Sequence, residues 1–302
     1  MNHPSRGPGG IGFAVAVVAL FAAYDNGTKL ISAVVPVALV LWTRYLLQIL
    51  WILARRRALA AAGAFHTRRK GLHVLRAAVL LACNVAAFFS YKQLPVAPVT
   101  AIAMLSPLLV TAVAALAFAE PVTPRQWLWI VGGLAGALMI TRPGAENLSP
   151  LLLLPLAFLL TYTAFQTITS RLTRTESPDT VLVWTSGIGF AALSLLLPLS
   201  WTGWPAPRTL AILLAATLCS AVGHHLLVLA YQRTAASRVT PFIYLQLPFA
   251  TLGGFLLFGE VPDGWSAAGG ALIAACGVLS ALEARRAPPA PATAAADGRR
   301  AA

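Results

Sequence analysis

Charge is what this sequence has least of. Of 302 residues, 10% are charged and nine are acidic. A soluble domain carries about 25% charged residues, so a surface wetted all round is excluded and lipid must be part of the solvent. Cysteine is scarce as well, with Cys83, Cys219 and Cys276 each inside an apolar segment. An odd number with no C-x-x-C pair suits neither a disulfide framework nor a zinc site, so each reads as a small buried hydrophobe. No G-x-x-x-x-G-K-[ST], H-E-x-x-H or G-x-S-x-G run occurs, which removes the P-loop, zinc-protease and serine-hydrolase signatures. No cofactor, metal or enzymatic activity is expected.

What is present is apolar and basic. Hydrophobic residues make up 58% of the chain and the net charge is +13, with a mean hydropathy of +0.77. The basic residues fall in short gaps between apolar runs, which leaves no soluble basic face for nucleic acid. Ten runs approach the ~20 residues that a membrane helix needs: 11–32, 37–54, 72–94, 97–119, 127–141, 151–172, 180–199, 210–232, 239–259 and 265–284. Backbone amides in lipid must be satisfied inside their own segment, so continuous runs predict helices; a barrel would need period-2 alternation instead. The first run reads as a retained span rather than a cleaved signal.

Lysine and arginine set the expected orientation. With a cytoplasmic N-terminus, the inner segments hold 17 of these residues, the outer segments hold Lys29, Lys92, Arg142 and Arg208, and Arg44 lies within the second span. Both termini are thus expected in the cytoplasm, and the cluster from Arg55 to Arg76 reads as a cytoplasmic loop. The expected organisation is a short N-terminus (1–10), a first five-helix repeat (11–142), a second (150–284) and a disordered tail (285–302).

The repeat is visible at an offset of 140. Tyr91, Val99-Thr100, Leu105, Phe118 and Glu120 match Tyr231, Val239-Thr240, Leu245, Phe258 and Glu260. Five spans is an odd number, so the second half must insert upside down. Inverted repeats are an architecture of secondary transporters, with the solute site near the midplane between halves. The expected fold class is an all-α integral membrane protein of about ten transmembrane helices in two inverted five-helix repeats.

These residues also carry a resemblance. The stretch 94–144, with its Leu105-Ser106-Pro107-Leu108-Leu109-Val110-Thr111 core and Glu120-Pro121, resembles the first EamA module of the drug/metabolite transporter superfamily. The stretch 230–260, with Ala235-Ala236-Ser237, Thr240-Pro241-Phe242 and Gly259-Glu260, is similar to the second, and Arg44 fits the pattern. The resemblance implies a ten-helix transporter with a central cavity lined by both halves. Its first helix departs from the Trp-Gly-x-Asn that many members carry, reading Tyr24-Asp25-Asn26-Gly27-Thr28-Lys29.

Ionisable groups inside lipid are costly and mark solute or ion pathways. Asp25, Lys29 and Arg44 are such groups. Asp25 and Lys29 share a face at i,i+4, so the alternatives are a cavity cluster with Arg44 or a structural Asp25–Lys29 bridge. His224 and His225 are adjacent and point ~100° apart, which leaves one facing the cavity as a candidate proton carrier. Asn84, Tyr162, Gln166, Tyr244 and Gln246 are uncharged candidates on the substrate or proton pathway, each also able to join two helices. Pro107 and Pro248 lie inside spans and are predicted kinks that free the carbonyls of Ala103 and Tyr244. Glu120 and Glu260, at equivalent helix ends, read as caps or turn-fixing groups. Gly132 and Gly136 have GxxxG spacing, and packing within the monomer is expected of them.

The predicted function is a secondary, gradient-driven transporter of small polar organic metabolites working by alternating access, with proton coupling through Asp25 or His224 open. The expected setting is multi-pass in a bacterial inner membrane, as monomer or homodimer, with lipid and a small-molecule substrate as partners. A lipid-handling protein or membrane enzyme and a non-transporting partner subunit are the alternatives. The scattered acidic residues offer no headgroup-level cluster for the former.

Overall fold

Apolar runs with no water for their amides close their own hydrogen bonds. The computed structural model of the chain describes residues 9–61, 63–118, 122–142, 150–173, 175–233 and 242–284, and these are helical with no strand among them. The first half contains α1 (Gly9–Ile31), α2 (Val37–Ala54), a short α3 (Arg56–Ala61), α4 (Lys70–Gln93), α5 (Val96–Ala103), α6 (Ser106–Phe118) and α7 (Pro124–Thr141). The second contains α8 (Leu153–Leu172), α9 (Pro178–Leu196), α10 (Pro207–Arg233), α11 (Gln246–Phe258) and α12 (Gly264–Ala284). Eight segments are long and apolar enough to cross a membrane, one of them formed by α5 and α6 together, and α11 is a shorter apolar helix. With α7, whose first turn carries Arg125 and Gln126 inside a Thr123 capping box, they make the ten expected spans.

The two internal prolines do more than kink. The fourth run, expected as one helix, is broken at Met104 and Leu105, and the ninth is broken at Tyr244 and Leu245, 140 residues later (104 to 244). Pro107 is then the second residue of α6 and Pro248 the third of α11. In a first turn, proline forfeits a donor that has no partner anyway. The Tyr244 carbonyl released by Pro248 accepts from Leu247 N–H at 3.2 Å. The expectation of a free carbonyl there is corrected: the tighter i→i+3 bond absorbs it.

The halves are inverted. α7 and α12 are equivalent helices, yet the start of α7 meets the end of α12: Trp129 Nε1 donates to Glu283 Oε2 at 2.9 Å and Thr123 Oγ1 to Glu283 Oε1 at 3.1 Å. At the opposite ends Arg142 pairs with Asp263. The two helices therefore run antiparallel. The rest of the packing obeys the same exchange, with α1 of the first half on α10 and α11 of the second, and α8 on α4 and α6.

Glycine sets the closest approach. A Cβ on Gly136 would stand 2.7 Å from the Gly269 carbonyl oxygen, and one on Gly269 would stand 2.5 Å from that of Gly136. Gly132 faces Cys276. The GxxxG glycines thus pack α7 on α12 inside one chain. This seam borders a buried cluster that includes Leu105, Leu108, Ile130 and Ile273.

Candidate functional site

Close packing of α1 on α10 brings the polar residues of both halves together. Gly27 lies against Ala216, and Gly223 against the Phe21 ring. Phe21 thereby meets the His224 ring edge-on at 4.9 Å. From α2, Arg44 enters the same space with 5% of its surface exposed. Its Nη1 donates to Asn84 Oδ1 on α4 at 2.6 Å, and its Nη2 lies 3.4 Å from His224 Nε2. His224 Nδ1 lies 2.8 Å from the Ser220 carbonyl. Nδ1 therefore carries the ring proton, and the Nε2 lone pair faces the guanidinium. The Tyr24 ring lies 5.3 Å from the guanidinium carbon. On α2, Tyr45 packs on Gly189 of α9, and Asn84 Nδ2 donates to its hydroxyl at 3.4 Å.

A second station lies one to two turns along. Asp25 is 7% exposed, and its Oδ2 accepts from Gln246 Nε2 at 2.9 Å. Gln246 opens α11 just after the helix break at Tyr244 and Leu245. The first half repeats this bond in neutral form: Ser106 opens α6 after the other break and accepts from Gln166 Nε2 on α8 at 2.7 Å. Each broken helix is thus held by a polar side chain on the other half's first helix. One of the two holders carries a carboxylate and the other does not.

Lys29 departs from the expected arrangement. It does not bridge to Asp25 or join Arg44, but pairs with Glu260 and donates to the Leu94 carbonyl at 2.8 Å. A lysine in the last turn extends toward the helix end, where its ammonium finds carbonyl and carboxylate oxygens. Glu260 also accepts from Val96 N–H at 3.0 Å, capping α5. Gly259, at φ 67°, makes the turn that aims it there. One carboxylate thus ties α1, α5 and α11. A 470 Å³ cavity opens beside this knot, lined by Pro98, Arg142, Thr251, Glu260 and Asp263 among others. Glu120, the sequence counterpart of Glu260, lies outside the described residues.

Other candidates are placed elsewhere. Tyr244 is buried in the α6–α7–α12 cluster with its ring on Gly277, away from Arg44; the break rotates its side chain into the core. His225 faces Trp51, with ring centres 4.5 Å apart. Tyr162 belongs to an aromatic row on α8, 5.9 Å from Phe158 and 6.3 Å from Phe165 between ring centres.

Sequence reasoning assigned Arg76 to the cytoplasmic loop. The structure turns it inward, 7% exposed, with Nε donating to Thr169 Oγ1 at 2.8 Å, a bond to Thr185, and its guanidinium carbon 4.4 Å from the centre of the Phe165 ring. The available signal was helical spacing. Arg76, Asn84 and Tyr91 recur at eight and seven residues along α4, so they share one face.

Together, inverted halves, two broken helices and ionisable groups inside the bundle define a multispan membrane protein with polar side chains buried between its repeats. Residues 149–282 match the EamA-like transporter family. The chain is 34% identical over 218 residues to a riboflavin transporter of Rhizobium johnstonii, covering 70% of each chain. It is 28% identical over 280 residues to a riboflavin transporter of Vibrio cholerae, covering 90% of this chain and 91% of that one. It is also 28% identical over 286 residues to a pseudopaline exporter of Pseudomonas aeruginosa, covering 90% and 95%. A protein of known crystal structure shares the fold, with a TM-score of 0.63 at 18% identity over 92% of this chain and 98% of its own. This chain belongs to the EamA-like transporter family. It is a membrane transporter of small metabolites.

Proposed function

We propose that this chain carries riboflavin, or a closely similar planar heterocycle, across a bacterial inner membrane by gradient-driven alternating access. The observation that carries the reading is Arg44, a buried guanidinium with no carboxylate within 4 Å among the described residues, where the ion pairs are Lys29–Glu260 and Arg142–Asp263. A buried cation so placed demands acceptors. The flavin ring offers carbonyl oxygens and ring nitrogens to Arg44 and an N–H to Asp25, and its face suits Phe21, Tyr24 and Tyr162. Names of the similar proteins support the same solute. The basic-residue bias supports cytoplasmic termini, which puts the Lys29–Glu260 knot on the outer face.

The deciding experiment is riboflavin flux, followed by its fluorescence, in proteoliposomes with and without a pH gradient. Saturable flux is expected, and its response to the gradient reports coupling through Asp25 or His224. Absence of riboflavin flux under both conditions refutes the flavin reading.

Alternating access requires the outer knot to open. Ala250 lies beneath it, fully buried with Ala22, Tyr91 and Val96. A cysteine placed there (Ala250→Cys) should react slowly with an impermeant thiol reagent applied outside. Adding Glu260→Gln should speed that reaction. Weakening the closed state by about 1 kcal/mol changes its population ratio about fivefold. Unchanged reactivity would remove the knot from the gate.

A further inference from the structure

We infer that Arg76 is a second solute-binding residue of this pathway, lying to the cytoplasmic side of Arg44 and taking carbonyl or anionic oxygens of an electron-rich planar solute. The inference deepens the transport reading and rests on it.

Arg76 sits in a neutral cradle. Thr169 Oγ1 donates to its own helix at Phe165 O (2.6 Å) and Thr185 Oγ1 to Val181 O (2.7 Å). Their protons are spent, so both threonines turn lone pairs to the guanidinium. The cradle orients Arg76 without neutralising it. Among the described residues no carboxylate lies within 4 Å, and its hydrogen bonds run from Nε and Nη1 to the two threonines.

A second buried cation in a bundle that already holds Arg44 adds repulsion as well as desolvation. Helix tethering alone would be served by an uncharged side chain. Two unpaired guanidiniums suit a path whose traveller brings the acceptors. Arg76 and Asn84, the partner of Arg44, are about 12 Å apart along α4 at 1.5 Å per residue, roughly the length of a three-ring aromatic system. Beside this face of α4 runs the α8 row, from Phe165 at Arg76 to Phe158 at Tyr91. Phe158, Tyr162 and Phe165 share a face at i, i+4 and i+7, Tyr162 is stacked on Phe165 at 12°, and Arg76 caps the end at Phe165. A flat solute sliding along this row passes its oxygens from Arg44 to Arg76. Two cations at the stations disfavour cationic solutes.

The test uses full-length protein in proteoliposomes and in detergent. Arg76→Gln keeps a donor near Thr169 and removes a buried charge, which relieves desolvation, so the unfolding temperature of the free protein should hold. Its KM for riboflavin should rise about tenfold, as expected on losing a charge-assisted bond, with the maximal rate less affected. Arg76→Lys should recover part of the loss. In a background lacking the three natural cysteines, the R76C variant should react with a membrane-impermeant sulfonate thiol reagent, and riboflavin should protect it. An unchanged KM in R76Q, an R76C variant that does not react, or reaction without protection in a protein that carries riboflavin would each overturn the inference. A KM change that follows only a lowered unfolding temperature would assign Arg76 to structure and overturn it too. If the parent protein moves no riboflavin, the flavin reading falls by itself. R76C reactivity then decides Arg76: reaction keeps it in the pathway, and silence removes it.

Discussion

Arg44→Ala is expected to abolish transport while leaving the protein in the membrane. The guanidinium is the hub of these buried side chains, holding Asn84 at 2.6 Å, approaching His224 at 3.4 Å and stacking on Tyr24. Alanine removes a buried charge, which relieves desolvation, so folding should survive. On the proposed reading, two charge-assisted bonds to the solute, worth about 1.5–3 kcal/mol each, go with it. A loss of about 3 kcal/mol corresponds to roughly a hundredfold in affinity. Arg44→Lys should restore only a little, because a point ammonium does not span Asn84 and His224 as the planar fork does. Flux in proteoliposomes, normalised to protein in the membrane fraction, measures both variants. Normal uptake by Arg44→Ala would take Arg44 out of the pathway.

Gly269→Val is expected to be the most damaging structural change. The added Cβ points at the Gly136 carbonyl oxygen, which is 2.5 Å from where it would sit. That oxygen belongs to backbone and has no rotamer to yield, so α7 and α12 must separate along the seam joining the halves. Overpacking of this kind costs about 3 kcal/mol. The unfolding temperature in detergent should fall sharply, and the folded yield with it. Gly71→Ala is the control, since its Cβ would meet nothing within 4 Å; the same measurement should leave it unchanged or slightly raised. Equal stability of Gly269→Val and the parent would refute the close seam.

Much of this fold is legible in one dimension. Lipid leaves an apolar run no choice but to bond its own backbone, so spans can be read directly. The matched residues at an offset of 140 and the odd span count predict inversion, which the antiparallel α7 and α12 display. Side-chain partnerships are less accessible. Asp25 and Lys29 share a helix face, yet each finds its partner more than 200 residues away, in Gln246 and Glu260. The i,i+4 rule describes what an isolated helix offers, and a packed neighbour with a better-placed oxygen overrides it.

Sequence by itself therefore determined the number of spans, their membrane setting, the two-fold repeat and the presence of ionisable groups within it. Those follow from composition and period, which are properties of the chain. Tertiary structure alone decided that Arg76 meets Thr169 and Thr185, that Tyr244 belongs to the core, that Lys29 locks with Glu260, and that Arg44 meets Asn84 and His224 across three helices. Those depend on how each helix is rotated about its axis against the others. Glycine contacts such as Gly27 on Ala216 and Gly136 on Gly269 set that rotation, and they join residues far apart in the chain.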